Sequence, residues 1–128
     1  LRSSSQIQKS ISKNFKKEKL NYLLKIKEIG ILSKKNLLNN ELDEYGRLLN
    51  KHWQLKKKLS KSITFPKLDK FYDNALNLGC LGGKMIGAGG GGFIILYSET
   101  KKIQNDLKKL ALKNKFFYTP FKFINYEL

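Results

Sequence analysis

Eight of the ten glycines in this chain lie within fourteen residues, 79–92, and the last four of them are consecutive. Successive backbone N–H groups without side chains can cradle a phosphate, and Lys84, inside the tract, could add a positive charge. The composition leaves three interpretations open: a phosphate-binding loop, a tight turn that needs positive φ angles, or a flexible linker. The apolar runs on both sides of the tract favour a structured loop between two strands.

A second group of candidate residues is Lys56-Lys57-Lys58, at the end of a predicted helix. These cations either offset the helix dipole on a solvated face or form an electropositive rim for a phosphate. Only one of two adjacent helical positions can point at such a site, and Lys56 is favoured because it shares a face with Trp53. Trp53 itself is either a core anchor or a platform for a sugar ring, and its apolar register favours the core.

The sequence contains one histidine and one cysteine, and it gives neither a catalytic or metal-binding role. One of each cannot build a zinc site, and Cys80 cannot form a disulfide within the chain. No neighbour in the sequence would activate Cys80 as a nucleophile, so we expect it to pack in the core. We likewise expect His52 to be a packing or surface residue rather than a general base.

The formal net charge of +16 raises the question of a nucleic-acid partner. The excess comes from 24 lysines and only 2 arginines, together with 11 asparagines and 11 isoleucines, a bias typical of AT-rich coding sequence. Nucleic-acid sites favour arginine, and these lysines are spread along every predicted helix, so the composition argues against nucleic acid. There is no signal peptide and no apolar run of membrane-spanning length, so we expect no membrane partner and a cytoplasmic location.

The hydrophobic periodicity predicts an α+β fold with a small, mostly antiparallel sheet covered by helices. A serine-capped helix begins near residue 3, a break at Asn39-Asn40 separates two longer helices, and Pro66 opens another that ends at Gly79. Apolar runs predict strands at both ends of the glycine tract and an aromatic-rich strand after the last helix. The predicted elements are helices at 18–38, 42–59, 66–79 and 101–113, and strands at 81–86, 93–97 and 116–124.

Residues 81–93, LGGKMIGAGGGGF, resemble the third conserved motif of the GHMP kinases. Residues 48–60 and 2–5 resemble the heptose 7-phosphate kinase branch of that superfamily, with fucose-kinase-like relatives close by. Members of the family are more than twice as long and have two lobes. The resemblance therefore implies that residues 1–128 are a GHMP kinase C-terminal domain, and that the N-terminal ATP-binding lobe is absent from this chain.

The resemblance implies an ATP-dependent kinase that phosphorylates the anomeric hydroxyl of a heptose 7-phosphate. Five residues are expected near the nucleotide: Gly87, Ala88, Gly89, Gly90 and Gly91. Five are expected at the sugar phosphate: Arg2, Ser4, Trp53, Lys56 and Lys84.

The expected partners are ATP, a sugar phosphate and the N-terminal lobe of the same enzyme. Mg²⁺ would be held mainly by that lobe and the nucleotide, so no metal ligand and no catalytic residue is assigned here. Two alternatives remain, a fucose- or galactose-type kinase lobe and a basic, non-catalytic module that docks an acidic partner.

Overall fold

A computed structural model of the protein describes residues 3–13, 17–87, 92–122 and 124. Within these residues the fold consists of five helices and one two-stranded sheet, in agreement with the predicted α+β class. The elements are α1 (Ser4–Lys13), α2 (Lys17–Leu38), α3 (Leu42–Lys57), α4 (Pro66–Asn77), β1 (Gly82–Ile86), β2 (Phe93–Tyr97) and α5 (Lys101–Lys113). None of the described helices combines the length and apolar character needed to cross a membrane.

The helix boundaries follow local chemistry. Ser3 and Gln6 form a reciprocal cap at α1, in which the Gln6 N–H donates to Ser3 Oγ and the Ser3 N–H donates to Gln6 Oε1. Asn40 adopts a left-handed φ of 58° in the turn between α2 and α3, and Gly79 does so with a φ of 106° just after α4. Pro66 occupies the first turn of α4, where its missing N–H costs nothing.

The two strands form an antiparallel hairpin whose register runs from Gly82 opposite Tyr97 to Ile86 opposite Phe93. The last part of the glycine tract, residues 87–92, therefore connects the ends of two hydrogen-bonded strands, as the flanking apolar runs predict. We call these residues the glycine loop. The structure agrees with a loop held at both ends rather than with a free linker.

The core lies where α1, α3, α4 and β1 meet. Its fully buried side chains are Ile7, Trp53, Ile63, Leu68, Phe71 and Tyr72. Met85 of β1 belongs to the same cluster, and a smaller cluster contains Ala75, Cys80 and Leu107. Burial of these apolar side chains is the main stabilising contribution and holds β1 against the helices.

Glycines allow β1 to approach α3 closely. A Cβ added at Gly82 would lie 2.1 Å from the carbonyl oxygen of Gly46, and one added at Gly46 would lie 2.3 Å from the Tyr97 ring. Real Cβ atoms do not approach so closely, so both positions must be glycine for helix and sheet to pack at this distance. Gly82 thus sets the spacing between α3 and β1, and Gly46 sets the spacing between α3 and Tyr97 at the end of β2.

The aromatic-rich strand predicted at 116–124 is wrong: residues 116–122 and 124 form no strand. Phe116 packs on Phe71 with the ring centroids 4.7 Å apart, whereas Phe117 is 96% exposed and Phe121 is 66% exposed. Alternation of apolar and polar residues stabilises a strand only when one face is buried and a neighbouring strand accepts its hydrogen bonds. Neither condition is met by this segment in the part of the chain that the structure describes.

Candidate functional site

Lys56, in the last turn of α3, reaches the start of the glycine loop, where its Nζ donates a hydrogen bond to the carbonyl oxygen of Gly87. Gly87 and Gly92, at the two ends of the loop, have positive φ angles of 92° and 100°. These are left-handed conformations in which a side chain would be strained, as predicted for a turn at this place. The predicted nucleotide-binding residues Ala88, Gly89, Gly90 and Gly91 lie outside the described residues.

Lys84, on β1, adds a second cation beside Lys56. Burial lowers the pKa of both ammonium groups, and the positive charge of Lys84 lowers the pKa of Lys56 further. Both side chains are half-buried, and among the described residues neither forms a salt bridge with a carboxylate. Like charges held together away from water are unfavourable unless an anion neutralises them. The pair therefore has the character of an anion-binding site at the base of the glycine loop.

His52 lies one turn before Lys56 on α3 and completes a group of three basic side chains. Burial, together with the positive charges of Lys84 and Lys56, lowers the pKa of its imidazole from 6.5 to about 4. Its Nδ1 is buried and makes no hydrogen bond within the described residues. At neutral pH His52 is therefore uncharged.

His52 and Lys84 both line a groove of about 320 Å³ between α2, α3 and β1. The rest of the lining is mainly apolar and comes from both helices: Ile26, Ile29, Gly30, Ser33, Tyr45, Leu48 and Leu49. His52 and Lys84 are thus the basic side chains that a ligand in this groove would meet.

A buried hydrogen-bond network fixes β1 to the neighbouring helices. The phenol oxygen of Tyr72 accepts from the Gly83 N–H at 3.0 Å and donates to Asn50 Oδ1 at 2.9 Å. Tyr72 is fully buried, and burial raises its pKa far above the ordinary range, so the phenol keeps its proton. Because Asn50 belongs to α3 and Gly83 immediately precedes Lys84, this network sets the position of Lys84 relative to His52 and Lys56.

The structure brings together three predicted site residues, Lys56, Lys84 and Gly87. Lys57 points elsewhere: its Nζ lies 3.5 Å from Asp69 Oδ1 on α4. Ser4 is exposed in the first turn of α1, and no hydrogen bond within the described residues joins it to the lysines, while Arg2 lies outside the described residues.

The assignment of Trp53 to the sugar site needs correction. Its side chain has no exposed surface and lies inside the main core cluster, so its ring offers no face to a sugar. Trp53 is the core anchor that its apolar register favours. Cys80 is also a packing residue, buried with its thiol directed at the carbonyl oxygens of Gly82 and Tyr97, and burial raises its pKa.

Sequence reasoning missed His52 as a member of the site and the network of Asn50 and Tyr72. The spacing of His52 and Lys56 is i and i+4, which places both side chains on one face of α3 and was a usable signal. No sequence pattern links Tyr72 to Gly83. Among the described residues, no group of three or more histidine, cysteine or acidic side chains could hold a metal ion.

Comparison with known proteins gives a family. The family described as GHMP kinases C terminal matches residues 33–114, about two thirds of the chain. The chain is 32% identical over 85 residues to D-glycero-alpha-D-manno-heptose 7-phosphate kinase from Campylobacter jejuni, covering 66% of this chain and 25% of that protein.

Two further relatives are kinases named for other substrates. Mevalonate kinase from Methanocaldococcus jannaschii is 40% identical over 67 residues, which are 52% of this chain and 20% of the relative. Galactokinase from Clostridium tetani is 37% identical over 98 residues, which are 70% of this chain and 23% of the relative. The chain thus spans a quarter or less of the length of the curated relatives it matches. With the α+β fold and the glycine loop between antiparallel strands, these matches show that the chain belongs to the GHMP kinase family and contains its C-terminal domain.

Proposed function

We propose that this chain is the C-terminal part of an ATP-dependent carbohydrate kinase that phosphorylates a heptose 7-phosphate at its anomeric hydroxyl. The observation that carries the proposal is the placement of Lys56 and Lys84, two half-buried cations without a carboxylate partner among the described residues, at the base of the glycine loop. The similarity to the Campylobacter jejuni enzyme, together with the sequence of residues 2–5 and 48–60, supports a phosphorylated heptose as the acceptor.

Phosphoryl transfer depends mainly on positioning the reactants and on stabilising the charge of the transferred group. In our proposal, residues 87–91 approach the nucleotide phosphates through backbone N–H groups. Lys84 and Lys56 neutralise the phosphate that the acceptor carries, and Arg2 and Ser4 contact the same phosphate. Mg²⁺, when bound with ATP, would neutralise charge on the nucleotide phosphates, and we place its ligands mainly in the N-terminal lobe of the same enzyme.

A proposed cytoplasmic location is compatible with the single, buried cysteine, which requires no oxidising compartment. The partners that we propose are ATP, the sugar phosphate and the N-terminal lobe. A lobe that holds one phosphate site cannot align two substrates by itself, so we expect no turnover from residues 1–128 alone.

The test is an ADP-release assay on the complete enzyme with four acceptors: heptose 7-phosphate, galactose, fucose and mevalonate. We expect kcat/KM for heptose 7-phosphate to exceed the others by at least about 100-fold, because a charge-assisted phosphate contact contributes roughly 1.5–3 kcal/mol and two lysines contribute here. Preference for an unphosphorylated acceptor would refute the heptose assignment. Absence of turnover with all four would refute the proposed carbohydrate kinase.

The second candidate is a galactose- or fucose-type kinase. The match to the Clostridium tetani galactokinase covers 98 residues, a longer stretch than the match to the heptose phosphate kinase. In that case Lys56 and Lys84 would serve the nucleotide alone, and their replacement would raise the KM for ATP rather than the KM for the sugar.

A further inference from the structure

His52 is the one histidine of the chain, and the proposed function gives it no task. Its ring lines the groove between α2 and α3 together with Lys84. Because Nδ1 is buried without a hydrogen-bond partner among the described residues, Nε2 is the ring nitrogen that a ligand can reach. A packing residue needs no polar edge on a groove that a lysine also lines, so this placement calls for a chemical explanation.

We propose that His52 is the third donor of the anion site formed by Lys56 and Lys84, and that it binds a dianionic phosphate ester and takes up one proton as the ester binds. Anion binding and proton uptake at this site can be measured without any catalytic turnover. The inference rests on the proposed function in one respect, namely that the natural ligand is the phosphate group of the acceptor sugar.

The charges around His52 explain the coupling between anion and proton. The charged or titratable groups that face it are Lys84 from β1 and, from its own helix, Lys56 and Tyr45. The side chains of α2 that line the groove, Ile26, Ile29 and Ser33, are all uncharged. No carboxylate of the described residues contributes to the electrostatics of His52, so in the absence of a ligand a proton on the imidazole meets only repulsion.

A bound dianion reverses this balance. Its negative charge offsets the two ammonium groups and also accepts a hydrogen bond from the imidazolium, and both effects favour the protonated ring. The proton comes from solvent and stays on His52, and no bond of the ester is broken. Binding of an anion that stays dianionic should therefore be tighter at pH 4.5 than at pH 7.5, whereas a site made of the lysines alone should show no comparable change.

Sulfate is a suitable probe because it remains a dianion throughout the working pH range, so any proton taken up belongs to the protein. As the only histidine, His52 gives a single imidazole signal in NMR spectra of the 128-residue chain, and its titration can be followed without assignment of other residues. Each titration is recorded with sulfate and again with chloride at equal ionic strength, which removes the contribution of general screening.

The expected result is a rise of at least one pH unit in the titration midpoint of His52 with sulfate relative to chloride. Calorimetry at pH 4.5 in two buffers of different ionisation enthalpy should show uptake of roughly half a proton or more. The uptake should disappear in His52→Asn and fall in Lys84→Gln. Lys51→Gln is the matched control, since Lys51 is the exposed neighbour of His52 on α3 and is absent from the groove.

Equal midpoints in sulfate and chloride would overturn the inference, whether or not sulfate binds elsewhere on the chain. Uptake of a proton that persists in His52→Asn would also overturn it. Neither result bears on turnover, which is measured separately on the complete enzyme. A catalytically active enzyme with an unresponsive His52 would leave the proposed function standing and remove only this inference.

Discussion

Lys56 and Gly87 connect two parts of the molecule that are 31 positions apart in sequence, through the hydrogen bond from Lys56 Nζ to the Gly87 carbonyl oxygen. The contact joins the C-terminal turn of α3 to the first residue of the glycine loop. Because Gly87 has a positive φ of 92°, its carbonyl points in a direction that other residues rarely adopt. The position of the loop is therefore linked to the lysine that we assign to the phosphate.

The first prediction compares the adjacent residues Lys56 and Lys57 in the complete enzyme. Lys56→Ala should raise the KM for the phosphorylated acceptor by about tenfold or more, because a charge-assisted phosphate contact is worth roughly 1.5–3 kcal/mol. Lys57→Ala removes a partly exposed ion pair with Asp69 and should change the same KM by less than about twofold. Steady-state kinetics with each substrate varied in turn measure both values.

Thermal melts of both variants serve as the control for folding. Small and equal effects of the two substitutions would assign Lys56 to the solvated face of α3. A rise in the KM for ATP instead of the acceptor would support the nucleotide as its partner.

The second prediction concerns the close packing of β1 on α3. Gly82→Ala places a methyl group about where the Gly46 carbonyl oxygen and the Asn50 backbone lie, and backbone atoms cannot move aside cheaply. We expect a loss of roughly 1–3 kcal/mol in the free energy of unfolding, measured by urea denaturation. Gly30→Ala is the control, because nothing lies within 4 Å of its Cβ position. It should raise stability by up to about 1 kcal/mol through helix propensity, and an unchanged stability in Gly82→Ala would contradict the proposed contact.

The third prediction tests the network that holds β1. Tyr72→Phe keeps the packing of the ring but removes the oxygen that accepts from the Gly83 N–H and donates to Asn50. Loss of these buried hydrogen bonds should cost about 1–3 kcal/mol of the free energy of unfolding. Tyr118→Phe, at an exposed position, should cost less than about 0.5 kcal/mol. If the two variants are equally stable, the Tyr72 hydroxyl does not hold the strand.

The fourth prediction is a pH dependence of stability due to His52. The pKa of His52 is about 4 in the folded chain, and 6.5 is its ordinary value, which we take for the unfolded chain. Between these two pH values the imidazole is protonated in the unfolded chain and neutral in the folded chain. Stability is therefore complete above pH 6.5 and falls as the pH decreases toward 4. After allowance for the half-exposed position of the ring, we expect a loss of about 1–2 kcal/mol across this window.

Urea denaturation at pH 7.0 and pH 4.5 measures the loss, and His52→Asn is the reference that removes the imidazole. Carboxylates titrate in both proteins, so only the difference between them reports on His52. A loss of the same size in both proteins would show that the folded chain does not resist protonation of this residue.

Local sequence determined most of the secondary structure. The break at Asn39-Asn40, the start at Pro66 and the end at Gly79 each depend on the torsion preferences of one or two residues, and such preferences act without tertiary context. The glycine tract and its flanking apolar runs also sufficed to predict a loop between two strands. The resemblance to the GHMP kinases rests on residues 81–93 of this segment, and the resemblance to the heptose 7-phosphate kinase branch rests on residues 48–60 and 2–5.

Tertiary structure decided which side chains share a site. The rotation of about 100° between adjacent helical positions already favoured Lys56 over Lys57 in the sequence, but the partners, Gly87 for Lys56 and Asp69 for Lys57, come from the tertiary structure. His52 and Lys84 line one groove because β1 packs closely on α3 at Gly82, and Trp53 is buried by residues from several elements. The segment at 116–122 has the alternation of a strand but forms none in the part of the chain that the structure describes. Strand pairing, burial and clustering of charge depend on distances between residues that are far apart in the sequence. Local sequence patterns do not reveal those distances.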